Sequence, residues 1–199
     1  MAKNQSDIKK STAVEIGCDI IEAMDAEFHD APDRVIAIVG AAYLDSLLEE
    51  LFRAIFVGDK EEADRLLEPD RALGSNGARY QLAYCLGLIE KDERDDLKMI
   101  ARIRNAFAHK YYVRSFNHDE AKKLVAKLHF GKELDSIVQG LARNTSDAKQ
   151  QNLLREIGDS GRRKFQDTVR NLFGSILRKL NCTAPVDSSI WYSRLSKSN

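Results

Sequence analysis

Apolar residues recur along most of this chain at the spacing of three to four positions that is typical of amphipathic helices. The pattern predicts a first helix over 6–28 and a strongly apolar second helix over 33–56, where Pro32 followed by Asp33 is a favourable helix start. The later predicted helices are a short charged one ending near Pro69, one over 78–89, one over 90–112, a shorter one with Ser115 or Asn117 as N-cap, two or three weaker ones between Gly131 and Gly161, and one over 162–180.

The apolar positions also predict which helix faces are buried. The second helix carries apolar residues on more than one face, so we expect it to be the central helix of a bundle. In the first helix the expected buried stripe is Val14, Cys18, Ile21 and Ile20. In the last helix the expected buried side chains are Phe165, Val169, Leu172, Phe173, Ile176 and Leu180.

Composition narrows the fold class. The 199 residues are 43% hydrophobic and 31% charged, which excludes wholesale disorder, and there are only three prolines and eleven glycines. We therefore predict an all-α, single-domain, irregular bundle of six to eight helices. Within it we distinguish an N-terminal helix in 1–32, a helical core in 33–130, and a C-terminal helical extension of the same domain in 131–199.

Charge and cysteine usage limit the function classes. Lysine plus arginine equals aspartate plus glutamate, so nucleic acid would have to bind a local basic patch. The three cysteines, Cys18, Cys85 and Cys182, lack metal-ligand spacing, and buried reduced thiols are expected. The N-terminus has no apolar signal region, and no run of apolar residues approaches the ~18 that a membrane span needs. We expect a soluble cytoplasmic protein with no membrane contact, no cofactor and no metal site.

The segment 101–112, ARIRNAFAHKYY, is the main candidate for chemistry. Arg104 and His109 stand five positions apart near the predicted end of a helix, and Asn105, Tyr111 and Tyr112 accompany them. On a regular helix these two positions lie ~140° apart around the axis, so they converge only if the helix ends near the histidine or a second copy of the chain completes the site. The alternative is structural, since basic residues at a helix C-terminus stabilise the helix dipole.

The run RNAFAHKY resembles the motif of the HEPN superfamily (higher eukaryotes and prokaryotes nucleotide-binding domains), in the Arg-x4-His-x-Tyr form of its toxin members. A wider stretch from about residue 39 through residue 109 resembles the mannitol operon repressor family, which carries a related segment. The HEPN resemblance covers eight residues, and the second covers a third to half of the chain. The sequence after about Gly131 matches neither family.

The HEPN resemblance implies a metal-independent endoribonuclease of a toxin–antitoxin or phage-defence system. Its RNA substrate would be cut through its own 2′-hydroxyl, leaving a 2′,3′-cyclic phosphate and a 5′-hydroxyl. His109 would be general acid or base, because histidine exchanges protons near neutral pH, and Arg104 would hold the scissile phosphate. Asn105 would orient the phosphate or the histidine, and Tyr111 and Tyr112 would support substrate binding. The resemblance also implies a homodimer and an antitoxin as partner.

Two other functions stay open. The mannitol repressor resemblance implies a transcriptional regulator that acts through protein partners, since no helix-turn-helix pair with a basic recognition helix is evident. A purely structural role would have Arg104 paired with Glu49 or Glu50 of a neighbouring helix while His109 closes its own helix.

The remaining candidate residues favour structural roles. We expect Tyr80 to pack and Arg79 to face solvent, although both follow a helix start that could bind an anion. His118 is expected to cap or open a helix, His129 to lie at a helix end and His29 in a surface loop. The basic residues of the C-terminal third favour a solvated face over an RNA track: Arg155, Arg162, Arg163, Lys164, Arg170, Arg178 and Lys179.

Overall fold

The computed structural model describes residues 20–56, 60–145 and 147–182, and this part of the chain is helical and contains no β-strand. The all-α prediction is therefore confirmed. Helix α1 covers residues 20–29 as far as it is described. The others are α2 (Asp33–Ile55), α3 (Lys60–Leu67), α4 (Asn76–Cys85), α5 (Lys91–His109), α6 (Asp119–Val125), α7 (His129–Asn144), α8 (Ala148–Asp159) and α9 (Gly161–Cys182).

Helix α2 is the centre of the bundle, as its apolar surface predicts. It packs mainly against α5 and α9, and nine of its residues between Ile36 and Phe52 are buried. Gly40 allows the closest approach, because a Cβ there would lie 3.3 Å from Phe165 Cε1 and 3.4 Å from Phe28 Cζ. A larger residue at this position would push α1 and α9 away from α2.

The buried faces of the last and first helices agree with the sequence in different degrees. In α9 the predicted residues from Phe165 to Ile176 are buried, and only Leu180 is half-buried. In α1 the buried residues are Met24 and Phe28, whereas Ile20 is exposed, so its assignment to the buried stripe is wrong. Val14 and Cys18 lie outside the described residues, as do the aromatic residues of the C-terminal tail, Trp191 and Tyr192.

Several local predictions are corrected by backbone chemistry. Helix α4 ends at Cys85 rather than at residue 89, because Gly87 turns the chain with φ = +70° and the Leu88 amide bonds back to the Ala83 carbonyl. The N-cap of α6 is His118, whose Nδ1 accepts from the Glu120 amide at 3.3 Å, rather than Ser115 or Asn117.

Two further expectations fail. His129 opens α7 instead of ending a helix, because the buried Asp96 carboxylate of α5 accepts from the amides of His129 and Phe130 at 2.6 and 3.1 Å. Cys85 and Cys182 are exposed free cysteines, so buried thiols were the wrong expectation for them. Each is the last residue of its helix, where fewer core side chains pack around it.

The first turn of α2 ties distant parts of the bundle together. Asp33 accepts from the Phe116 amide at 2.8 Å and from the Arg162 guanidinium at 3.1 Å. Arg162 also donates to the carbonyls of Phe28 and His29, the last residues of α1. One carboxylate therefore links α2, α9 and the segment after α5, while its arginine partner closes the C-terminus of α1.

Replacing this carboxylate tests the junction. Asp33→Ala should lower the free energy of unfolding by about 2 kcal/mol, because the Phe116 amide and the Arg162 guanidinium both lose a charged acceptor. Urea unfolding at neutral pH measures the change.

The matched control is Asp30→Ala, three residues earlier, where the carboxylate is 94% exposed and lies 3.0 Å from the ring of the neighbouring His29. It should change the free energy of unfolding by less than about 0.5 kcal/mol. Equal effects of the two variants would contradict the role of Asp33.

Candidate functional site

The candidate segment lies at the C-terminal end of α5, and the buried face of that helix sets its orientation. Leu97, Ile100, Ile103 and Phe107 are buried, as the spacing predicts. Acidic residues fill the first turn of α5 and His109 is its last residue, which is the favourable order for the helix dipole. The candidate polar residues therefore occupy the opposite side and the end of the helix.

Arg104 is half-buried and turned towards α2 and α4. Its guanidinium donates to Asn105 Oδ1 at 2.9 Å. Burial raises the pKa values of Asp45 and Tyr80, and the positive charge of Arg104 opposes both rises. Neither Glu49 nor Glu50 is its partner, so the structural pairing considered from sequence is corrected.

Those two glutamates are engaged by other arginines. Glu49 accepts from Arg79 and Arg53, and Glu50 accepts from Arg53 at 2.8 Å. Arg79 is only 6% exposed, which corrects the expectation that it faces solvent. Besides Glu49 it binds the carbonyls of Leu67 at 2.7 Å and Leu73 at 2.6 Å, so it fixes the chain after α3 to α2. Its role is structural.

A polar cluster beside Arg104 was not found from sequence. The Tyr80 hydroxyl donates to Asp45 Oδ1 at 2.6 Å, and Asn76 donates to the other carboxylate oxygen. Burial raises the pKa of Asp45, while these two hydrogen bonds and the charges of Arg104 and Arg79 oppose the rise. Burial and the Asp45 charge likewise raise the pKa of Tyr80. The signal in the sequence for this cluster is an acidic residue, Asp45, placed among the leucines of the most apolar helix.

His109 and the two tyrosines lie at the exposed end of the helix. His109 is exposed and makes no hydrogen bond or ion pair with any residue in the described ranges. Tyr111 is 78% exposed and Tyr112 is 48% exposed. Their rings meet edge to face, with centroids 5.5 Å apart. Arg104 and Asn105 thus form one pair and the tyrosines another, and no contact joins Arg104 to His109 within the described structure.

Hydrogen bonds from α2 and two buried side chains fix the backbone of the segment that carries the tyrosines. The Arg34 guanidinium donates to the carbonyls of Lys110 and Val113, each at 3.1 Å. Val113 and Phe116 are buried and anchor the segment to the core. Sequence reasoning did not select Arg34, because its partners are backbone carbonyls 76 and 79 residues away.

The basic residues of α9 are largely neutralised within the fold. Arg163 pairs with Asp167, Lys164 with Asp135, and Arg170 with Asp25 and Asp167. Lys179 pairs with Glu93 of α5. These ion pairs favour the solvated-face interpretation over a track for an RNA backbone.

Together these features define an all-α, single-domain protein with a polar cluster beside Arg104 and an exposed aromatic segment after α5. No helix in the described part of the chain is long and apolar enough to cross a membrane. No protein-family model matches the sequence, and a search of the curated proteins finds no match.

The fold, however, is similar to that of a solved protein. The chain superposes on MtlR, the mannitol operon repressor, from the X-ray structure of the MtlR–HPr complex of Escherichia coli, with a TM-score of 0.54. The sequences are 18% identical, and the similarity covers 80% of this chain and 97% of the MtlR chain. This likeness concerns the fold. It agrees with the fold that the resemblance to the mannitol operon repressor family implies, and it gives no support to the HEPN resemblance.

The hydrogen bond from Tyr80 to Asp45 makes a testable contribution to the pKa of the Asp45 carboxyl group. In Tyr80→Phe the carboxylate loses a hydrogen bond that favours its charged form, so the pKa of Asp45 should rise further. When the pKa of an aspartate is raised in the folded state, the free energy of unfolding falls as pH rises from the ordinary aspartate pKa to the raised one. In the variant this fall in the free energy of unfolding should therefore extend to higher pH. At neutral pH the cost should be about 2 kcal/mol.

The pKa of Asp45 is measured by a carbon-13 NMR titration of its carboxyl group, and stability by urea unfolding across the same pH range. Tyr84→Phe is the matched control, since its hydroxyl has no hydrogen-bond partner in the described structure. An Asp45 titration that is the same in both variants would show that the Tyr80 hydroxyl does not set this pKa.

Proposed function

We propose that this protein is a regulator of the mannitol-repressor type, which acts by binding a protein partner rather than by reading DNA. The observation that carries the proposal is the similarity of the fold to MtlR, a protein crystallised in complex with HPr. By analogy, HPr or a protein of similar shape is the partner, and the cytoplasm is the compartment.

The charge distribution supports a protein partner. The chain as a whole is balanced in charge, and three basic residues of α9, namely Arg163, Lys164 and Arg170, are paired with Asp25, Asp135 and Asp167. DNA binding depends on free lysines and arginines that replace counterions along the phosphate backbone. Exposed aromatic side chains such as Tyr111, in contrast, are enriched at the centres of protein–protein interfaces.

Direct binding to HPr from the same organism tests this proposal. Isothermal titration calorimetry should detect a saturable, stoichiometric complex with a Kd of about 1 μM or below, which corresponds to about −8 kcal/mol. An unrelated acidic protein of similar size is the control for charge alone. Absence of any complex at about a hundredfold higher concentration, or specific and salt-sensitive DNA binding by the isolated chain, would contradict the proposal.

A second candidate function is the metal-independent endoribonuclease, and the accessibility of the motif favours it. His109 and Tyr111 are exposed at the end of α5, and Arg104 stands on the same helix five residues earlier. In one chain the two functional groups face different directions, so this function requires a homodimer in which a second copy supplies the facing group.

RNA cleavage in the presence of EDTA tests the second candidate. Wild-type protein should cut RNA, and His109→Ala should be at least about a hundredfold slower because a general acid or base is lost. The control is His29→Ala, which removes another exposed histidine, at the end of α1. If the wild type leaves varied RNAs intact, or if His109→Ala cuts as fast, the endoribonuclease is excluded.

A further inference from the structure

Tyr111 and Tyr112 form an exposed aromatic surface on a segment that is rigidly held. Both rings project from the backbone between α5 and α6 while Val113 and Phe116, immediately after them, are fully buried. Arg34 fixes the carbonyls of Lys110 and Val113, and Asp33 fixes the amide of Phe116. A partner would therefore meet aromatic side chains whose backbone is already ordered, which lowers the entropic cost of binding.

The surface beside the tyrosines is locally basic. Between residues 109 and 127 the sequence contains five basic and two acidic residues, in a chain of zero net charge. Lys110 is paired with Glu120, but Lys123 and Lys127 are exposed and make no ion pair with the residues that the structure describes. Lys123 lies three positions after Glu120 and thus on the same side of α6, next to the tyrosines.

The arrangement fits a protein better than a single-stranded nucleic acid. The Tyr112 hydroxyl lies 3.5 Å from a carboxylate oxygen of Glu120, which also pairs with Lys110. The two tyrosine rings meet edge to face, with an interplanar angle of 84°. Successive bases stack on aromatic faces, and two perpendicular rings do not offer them parallel faces.

Arg114 is exposed, and its guanidinium donates to the Tyr111 carbonyl at 3.3 Å. We propose that this tyrosine surface, consisting of Tyr111, Tyr112, Arg114 and Lys123, is the docking site for the protein partner. The occupant is a folded protein whose contact surface has an apolar centre that accepts the two rings and carboxylates at the rim that face the two basic residues. This inference rests on the proposed regulatory function and specifies where the partner binds. The tyrosines supply most of the affinity and the basic residues guide the encounter.

Calorimetric titration of HPr from the same organism into matched variants tests the site. Tyr111→Ala combined with Tyr112→Ala should weaken binding roughly thirtyfold or more, as expected for central interface aromatics. Tyr84→Ala is the control, because Tyr84 is an exposed tyrosine stacked under Arg94. Arg94 is about 22 Å along α5 from His109, so this control leaves the proposed surface intact.

A charge reversal tests the rim. Lys123→Glu should weaken binding about tenfold at low ionic strength, and the difference should shrink as salt is added. Lys149→Glu on α8 is the matched control, since Lys149 is also exposed and α8 packs mainly on α7. Circular dichroism verifies that each variant is folded.

The outcomes separate the two proposals. If HPr binds the wild type and the double tyrosine variant equally well, the docking site is overturned while the regulatory function stands. If HPr does not bind the wild type, the regulatory function fails and the docking site fails with it. If a single-stranded RNA binds the wild type and loses affinity in the tyrosine variant, the surface serves a nucleic acid and the proposal of a protein occupant is overturned.

Discussion

The charged contacts made by the first turn of α2 hold the functional end of this bundle in place. The Asp33 carboxylate accepts from the Phe116 amide and the Arg162 guanidinium, while the adjacent Arg34 guanidinium donates to the carbonyls of Lys110 and Val113. The segment after α5 would otherwise leave these backbone groups without acceptors or donors next to a closely packed core. Two consecutive side chains thus fix the backbone of the segment between α5 and α6 that carries the tyrosines.

The sequence was informative wherever a signal was local. Pro32 and Asp33 predicted the start of α2, and the apolar spacing predicted the buried faces of α5 and α9, since both depend on residues within a few turns. The end of α4 was missed although Gly87 was visible, because the apolar Leu88 and Ile89 continued the helical pattern beyond the glycine. Periodicity gives the existence of a helix more securely than its last residue.

Long-range polar contacts account for what the sequence did not predict at the candidate site. Asp45 meets Asn76 and Tyr80 at separations of 31 and 35 residues, and Arg79 binds Glu49 from 30 residues away. No spacing rule within a helix relates such residues, because their proximity depends on how α2 and α4 pack. The assignment of the motif residues to a functional site stays a prediction, and their local periodicity gave no indication that the charge of Arg104 would act on the Asp45 cluster.

The position of Arg104 bears directly on how the motif is interpreted. Burial raises the pKa of Asp45 and the charge of Arg104 opposes that rise, while the Arg104 guanidinium donates to Asn105, so this arginine makes contacts within the fold whether or not it meets a phosphate. In a regulator with the same fold, Arg104 would therefore contribute to stability. His109 and the tyrosines are exposed, so their role would depend on the molecule that they contact. The arginine and the histidine of one motif are in this way subject to different physical constraints, and the exposed part is the one that distinguishes a protein partner from an RNA substrate.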